Sequence, residues 1–341
     1  MNKYYIKFGL SKNFNAGSKA MKDVMTLLES SGYRSVRALP THCNKLLKLI
    51  DIPLLLLTLF FRVGRGGTLL YFMPSNFQRI KLLKFFRRFF PFKLVCFIND
   101  VESFRMEKGA AYAQAEMKSI GCADIVLVPN EQSAEILRKE YGFTNHLIPV
   151  GVWDYLTTPR PAKCNTDLTT LFRSRSVAFA GNLRKSPFIE ELNKVSLSFM
   201  IWGSGHEKEI KENTCFMGEK TPEELIEEVA ACAWGLVWDG DSIERCSGLM
   251  GTYLRFNNSH KCGLYLCAGL PVIVWKESGM SSFVEQQQVG ISVSSLSEAA
   301  EYILRMDIET YCTYRKNAEQ VAFSLSQGNY FLNALNEVEK Q

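Results

Sequence analysis

The chain has 341 residues, long for one domain and enough for two. With 47% apolar and 22% charged residues it can bury a sizeable core, which excludes a disordered chain. Its charge is divided: residues 1–100 hold 17 Lys/Arg against four acids (Asp23, Glu29, Asp51 and Asp100), a net of +13, while residues 101–341 are net −8 and the whole is +5.

No charged start followed by an apolar stretch and a small-residue cleavage site is present, so no signal peptide is expected. The ten Cys form no CxxC pair and no Cys/His spacing of a zinc site. Scattered in apolar runs, as at Cys96 and Cys267, they read as small buried hydrophobes of a reducing, cytoplasmic protein.

In chain order, Tyr4–Leu10 reads as a short strand entering a polar turn at Ser11–Ser18. Met21, Val24, Met25 and Leu28 recur at helical spacing up to Ser30-Ser31-Gly32, and Arg34–Leu39 is a second strand. Ile52–Phe61 is the longest apolar run (one Pro and one Thr within it), far short of the roughly 20 residues that span a bilayer. It is either a core helix or part of a membrane-facing patch. Thr68–Met73 is a buried strand, and Pro74-Ser75-Asn76 opens a helix over Gln78–Phe90 that Pro91 stops. Lys93–Ile98 is a strand ending in Asn99-Asp100. A helix over Glu107–Ile120, a strand over Asp124–Val128, a helix over Glu131–Tyr141 and a strand over His146–Val150 follow. Short apolar strands alternating with amphipathic helices predict a parallel sheet covered on both faces.

The stretch from Thr157, with two prolines and no periodicity, reads as a linker. The expected domains are therefore 1–156 and 176–341, joined by 157–175. The alternation restarts with strands Val177–Ala180 and Leu197–Trp202, helix Pro222–Ala231 and strand Ala233–Trp238. Helix Ser259–Ala268, strand Pro271–Trp275, helix Ser281–Gln287 and helical sequence from Ser297 complete it. Two such halves predict an α/β protein of two Rossmann-like domains facing a cleft, with ligands at the carboxyl ends of the strands.

Gly181-Asn182 closes the first strand of the second half, and Arg184 and Lys185 follow. A strand-end glycine admits a phosphate to the backbone and an arginine neutralises it; an ordinary glycine turn is the plainer alternative. Gly203-Ser204-Gly205 lacks the third glycine of the GxGxxG fingerprint, which disfavours a dinucleotide-binding dehydrogenase. The most informative stretch is Trp238–Trp275, WDGDSIERCSGLMGTYLRFNNSHKCGLYLCAGLPVIVW. Asp239, Asp241 and Glu244 cluster after a buried strand, where they need an open loop or a polyol ligand. Asn257, Asn258 and Ser259 precede an apolar helix as capping residues, with His260 and Lys261 in its first turn. Cations there oppose the helix dipole, and a docked anion would relieve the conflict; a solvated lysine is the alternative. Acids for sugar hydroxyls beside an anion site suit a nucleotide sugar. Asp239-Gly240-Asp241 reads as loop acids rather than a Mg²⁺ site, so no metal ligands are assigned.

On the basic front, Lys81, Lys84 and Arg88 share a helix face flanked by Arg87, while Leu82, Phe85, Phe86 and Phe89 form an apolar side. Basic and aromatic residues together suggest an interfacial helix on anionic lipid; a sheet-packed helix with a solvated basic face is the alternative. Nucleic acid is the rival partner for such charge, but no nucleic-acid-binding motif accompanies it.

With AGNL at 180–183 and the Trp238–Trp275 block, the chain resembles bacterial GT-B glycosyltransferases related to O-antigen β-1,6-galactofuranosyltransferases. It is also similar to streptococcal glucosyltransferases that extend GlcNAc on serine-rich adhesins. The resemblance covers nearly the whole chain, including Ala16, Gly17, Lys19, Ala20 and Asp23 and the set Asp100, Glu102 and Arg105. Asn99 stands where relatives carry His before the Asp, and Ser259 where the galactofuranosyltransferase pattern has Pro. The resemblance implies a UDP-sugar as co-substrate in the second domain, an acceptor on the first, and inversion without a required metal or other cofactor. The donor site would comprise Gly17, Lys19, Gly181, Asn182, Arg184, Asp239, Asp241, Glu244, Tyr253, Asn257, Asn258, His260 and Lys261. Asp100, or else Glu102, would be the base. The expected setting is O-antigen or capsule assembly on a lipid-linked oligosaccharide, with the protein peripheral at the cytoplasmic membrane face, the donor being galactofuranose or, alternatively, glucose. A non-catalytic nucleotide-sugar or anionic-surface binder is the non-enzyme alternative. A homo-oligomer is left open.

Overall fold

The structure is a computed structural model and describes residues 2–7, 16–37, 53–75, 77–157, 167–205 and 212–341. The chain divides into two compact units, Met1–Val150 with Phe331–Gln341, and Gly151–Tyr330. The first unit carries strands β1 (Lys3–Lys7), β2 (Arg34–Arg37), β3 (Thr68–Met73), β4 (Lys93–Ile98), β5 (Ile125–Val128) and β6 (His146–Pro149). They form one parallel sheet in the order β2-β1-β3-β4-β5-β6. The second carries β7 (Ser176–Ala180), β8 (Ser198–Trp202), β9 (Thr214–Gly218), β10 (Trp234–Val237), β11 (Val272–Trp275) and β12 (Gly290–Val293), parallel in the order β12-β11-β10-β7-β8-β9.

The central strands are apolar throughout. TLLYFM of β3 and IVLV of β5 are buried at every residue, as expected where helices cover both faces of a parallel sheet. The helices begin and end on local signals. Asn130 accepts from the Ser133 amide at 2.8 Å while Ser133 Oγ accepts from the Asn130 amide at 3.0 Å, and Gly142 at φ +67° ends that helix.

In the second sheet the chain runs outward one way through β7, β8 and β9 and the other way through β10, β11 and β12. The strand order reverses between β7 and β10. A crevice opens outside the carboxyl ends at such a switch point, and ligands of open α/β sheets bind there. In the first sheet the reversal falls between β1 and β3.

By packing, the units divide at Val150/Gly151, and Phe331–Gln341 packs with the first unit. Several expectations are corrected. Within 157–175, Leu168–Ser174 is a helix whose start is capped by Asp167 Oδ2 accepting from the Thr170 amide at 3.2 Å; residues 158–166 lie outside the described ones. The helix expected over Gln78–Phe90 spans Phe77–Phe86 and relaxes into a turn before Pro91. The Ser11–Ser18 turn lies outside the described residues up to Asn15, and from Ala16 the chain is already helical. Strands β9 and β12, the short helices Glu102–Arg105 and Gly248–Tyr253, and the 3-10 turns Leu183–Lys185 and Pro187–Lys194 were not anticipated. Among the described residues, no helix is long and apolar enough to cross a membrane.

Candidate functional site

Strands β7 and β10 are hydrogen-bonded neighbours, and beyond their carboxyl ends come Gly181-Asn182 and Trp238-Asp239. Lys261, in the first turn of the helix His260–Cys267, reaches across to this place. Its Nζ donates to both Asp239 carboxylate oxygens at 2.8 Å and to the Trp238 carbonyl at 3.3 Å, and lies 5.2 Å from the Phe179 ring centre. A Cβ on Gly181 would stand 3.2 Å from Lys261 Cε, so glycine there leaves room for the lysine stem. Gly203, at φ +141°, brings the end of β8 so close that a Cβ would fall 1.8 Å from the Gly181 carbonyl oxygen. The buried Tyr265 hydroxyl accepts from the Ala180 amide at 2.7 Å, tying that helix to the end of β7. Burial pushes the Tyr265 phenol well above its ordinary pKa, so the group stays neutral.

The dipole conflict expected at Lys261 is thus met inside the chain by Asp239. The caps expected at this helix differ too. Ser259 occupies the N-cap without a side-chain cap bond. Asn258 is buried and donates Nδ2 to the Gly151 carbonyl at 3.2 Å, a packing role. Asn257 Oδ1 is buried without a hydrogen-bond partner, an acceptor left to a ligand or water at the helix start. His260 stacks on Trp153, ring centres 6.0 Å apart and planes 12° apart. Tyr253 is buried and stacked on Phe256. Asp241 accepts from the Ser247 hydroxyl, and Glu244 is exposed. Asn182 turns its carbonyl oxygen back to the Arg184 amide at 3.1 Å, while Arg184 is exposed and passes against Gly205. Gly181, Asp239 and Lys261 therefore gather at the switch point. Among the described residues, no group of three or more His, Cys, Asp or Glu could hold a metal ion.

In the first unit, Asp100 follows β4 and is ion-paired with Arg105. Glu102 accepts from the Tyr112 hydroxyl, and burial followed by Glu102 itself pushes that phenol well above its usual pKa, keeping it a donor. The helix Glu102–Arg105 is anchored by a residue that sequence reasoning missed. Glu116, fully buried on the helix Ala110–Ile120, accepts from the Glu102 and Ser103 amides at 2.9 Å each. The one available signal was an acid in the otherwise apolar or polar-neutral AAYAQAEM. Gly17 and Lys19 lie on the helix Ala16–Ser30, and Lys19 is ion-paired with the buried Asp23 at 2.5 Å rather than solvated.

On the basic surface, Lys81, Lys84 and Arg88 are exposed. Arg87 is withdrawn from it, binding both Asp124 carboxylate oxygens at 2.6 Å. The buried face of this helix is Arg79, Ile80 and Leu83, not the phenylalanines; Phe85 and Phe89 stand in solvent.

Residues 3–151 match the family model described as Glucosyltransferase 3-like, N-terminal domain, and residues 177–338 the corresponding C-terminal domain. Beta-1,6-galactofuranosyltransferase WbbI of Escherichia coli (strain K12) is 30% identical over 95% of this chain and 94% of its own length. Glucosyltransferase 3 of Streptococcus gordonii is 25% identical over 79% and 78%. Among solved structures, sucrose-phosphate synthase from Thermosynechococcus elongatus superposes with TM-score 0.63 at 14% identity, covering 98% of this chain and 97% of that one. Anabaena HepE, in complex with UDP and glucose, gives 0.60 at 15% identity over 100% and 99%. At these identities the structural likeness establishes the fold, the two-Rossmann GT-B architecture.

Proposed function

Because the chain belongs to the glucosyltransferase 3-like family, and is thereby a GT-B glycosyltransferase rather than a non-catalytic binder, we propose that it moves a hexosyl group from a UDP-sugar to a saccharide acceptor with inversion. The observation that carries the reading is Lys261 beside Asp239 and Gly181 at the switch point of the second sheet. A diphosphate entering there meets the lysine ammonium and the positive end of the helix His260–Cys267; its greater charge draws Lys261 from Asp239, which is left to accept from sugar hydroxyls. Arg184 adds a second cation, and the orphan Asn257 Oδ1 an acceptor. These cations would meet the charge of the leaving diphosphate without a divalent ion, so EDTA is expected to leave the rate unchanged, and a loss of activity in EDTA that Mg²⁺ restores would overturn this.

In the reaction, the acceptor hydroxyl oxygen bonds to the anomeric carbon as a carboxylate of the first unit takes its proton. The bond from the anomeric carbon to the diphosphate oxygen breaks, and UDP departs with the electron pair. Asp100 is the assigned base. Galactofuranose, β-linked onto an O-antigen or capsule saccharide carried on lipid, is the favoured transfer, supported by the WbbI likeness over 95% of the chain. Glucose from UDP-glucose onto a GlcNAc-type acceptor is the second reading, favoured by the glucosyltransferase 3 relatives.

The test is UDP release from UDP-galactofuranose, UDP-galactose, UDP-glucose and UDP-GlcNAc, with UDP affinity measured calorimetrically. Lys261→Ala is expected to weaken UDP roughly 10- to 100-fold, as the loss of charge-assisted hydrogen bonds implies. Unchanged affinity in that variant would remove Lys261 from the donor site, and turnover of none of the four sugars would overturn the donor assignment.

A further inference from the structure

The first unit exposes apolar surface that its core does not use. Residues 53–63 form one helical stretch, ending in a π-turn at Leu59–Val63. Leu55, Leu59 and Val63, at helical spacing, are buried. On the other side Leu54, Leu57 and Phe61 are 61%, 55% and 77% exposed, again at helical spacing. The helix is therefore apolar on two faces, and among the described residues only one is covered.

A second segment joins it. The Phe60 ring meets Phe90 edge-on at 4.6 Å, Phe90 stacks with Phe86 at 5.1 Å, and the Gly66 amide donates to the Pro91 carbonyl at 2.9 Å. These contacts place the end of the 53–63 helix beside the end of the helix Phe77–Phe86. There Phe85 and Phe89 pair at 5.5 Å and are 55% and 58% exposed. Leucines and phenylalanines from two segments thus form a patch of the kind soluble surfaces rarely leave open.

The charges carried by its two segments are of one sign, the neighbouring Asp124 being ion-paired with Arg87. Between residues 53 and 99 there is no Asp or Glu, and Arg62, Arg65, Lys81, Lys84 and Arg88 are all exposed. A second copy docking on this face would set cation against cation. An anionic bilayer satisfies both features: the rings and leucines enter the headgroup–acyl boundary while the cations meet lipid phosphates.

We propose that this face, Leu54, Leu57 and Phe61 with Phe85 and Phe89 inside a rim of Arg and Lys, is a monotopic binding surface for anionic membranes. It stands on surface chemistry and does not depend on the donor assignment. The test is co-sedimentation of the full chain with vesicles of equimolar phosphatidylglycerol and phosphatidylcholine, and with phosphatidylcholine alone. The chain is expected to bind the anionic vesicles at least about tenfold more tightly. Phe61→Ser/Phe85→Ser should abolish binding at every salt concentration, and Lys81→Glu/Lys84→Glu/Arg88→Glu should abolish the preference for anionic lipid. Both variants should keep the wild-type thermal transition and UDP affinity, which separates membrane binding from folding and from catalysis. Equal partitioning of wild type and both variants, or no binding by the wild type, would overturn the proposal. So would a solution dimer that Phe61→Ser dissociates, since a second copy would then be the occupant.

Discussion

Asp100 and Glu102 lie two residues apart, but their partners differ in kind. Asp100 is oriented by an ion pair with the Arg105 guanidinium, whereas Glu102 takes a hydrogen bond from the neutral Tyr112 hydroxyl. Each contact engages one carboxylate oxygen, Oδ2 of Asp100 and Oε2 of Glu102, so the choice of Asp100 rests on its place directly after the carboxyl end of β4. Asp100→Asn is therefore expected to lower kcat by about 10²- to 10⁴-fold with UDP affinity unchanged, and Glu102→Gln by less than about tenfold. Steady-state rates at saturating donor decide it; the reverse order would move the base to Glu102. Asp100 and Arg105 enter the sequence reading together through the resemblance, as parts of its Asp-x-Glu-x-x-Arg pattern, and only Asp100 also stands out as the end of a strand. Lys261 was legible as a cation in an unfavourable place at a helix start, yet its partner Asp239 lies 22 residues away, and their pairing depends on how β10 and the following helix pack.

The short helix Glu102–Arg105 is too brief to hold itself, since four residues close barely one turn. Its amides are instead satisfied by the buried Glu116, which makes the helix Ala110–Ile120 the support of the carboxylate-bearing segment. Glu116→Ala leaves two amides and a cavity behind and is expected to cost about 3 kcal/mol in urea unfolding. It should also lower kcat without weakening UDP, because Asp100 and Glu102 lose their seat. Glu116→Gln, which retains one acceptor oxygen, should recover part of both effects; a destabilised variant of normal kcat would make Glu116 purely structural. Elements with continuous apolar runs, such as β3, β4 and β11, were readable nearly to the residue. β9 lies at the sheet edge, half exposed, and β12 is only GISV, so neither carries a run that stands out.

The charge division between the front and back of the chain anticipated two units, but not that the last helix returns to the first. Residues Phe331, Leu335 and Val338 are buried there; the Phe331 ring meets Phe97 of β4 edge-on at 5.5 Å, and Lys93 Nζ donates to the Val338 carbonyl at 3.2 Å. The pattern of that helix is ordinary amphipathic sequence, equally suited to either sheet, so only packing assigns it. Its assignment is open to a clean measurement, because Trp153, Trp202, Trp234, Trp238 and Trp275 all fall within Gly151–Tyr330 and none within the first unit. Tryptophan fluorescence therefore reports on the second unit, while far-ultraviolet circular dichroism reports on both. Phe331→Ala removes a fully buried ring from the first core, a loss of about 3–5 kcal/mol. Urea unfolding of this variant should show an early transition in circular dichroism that tryptophan fluorescence does not follow. If the fluorescence transition moved by the same amount, the two units would unfold as a single cooperative body, and the C-terminal helix would stabilise the whole chain rather than the unit it completes.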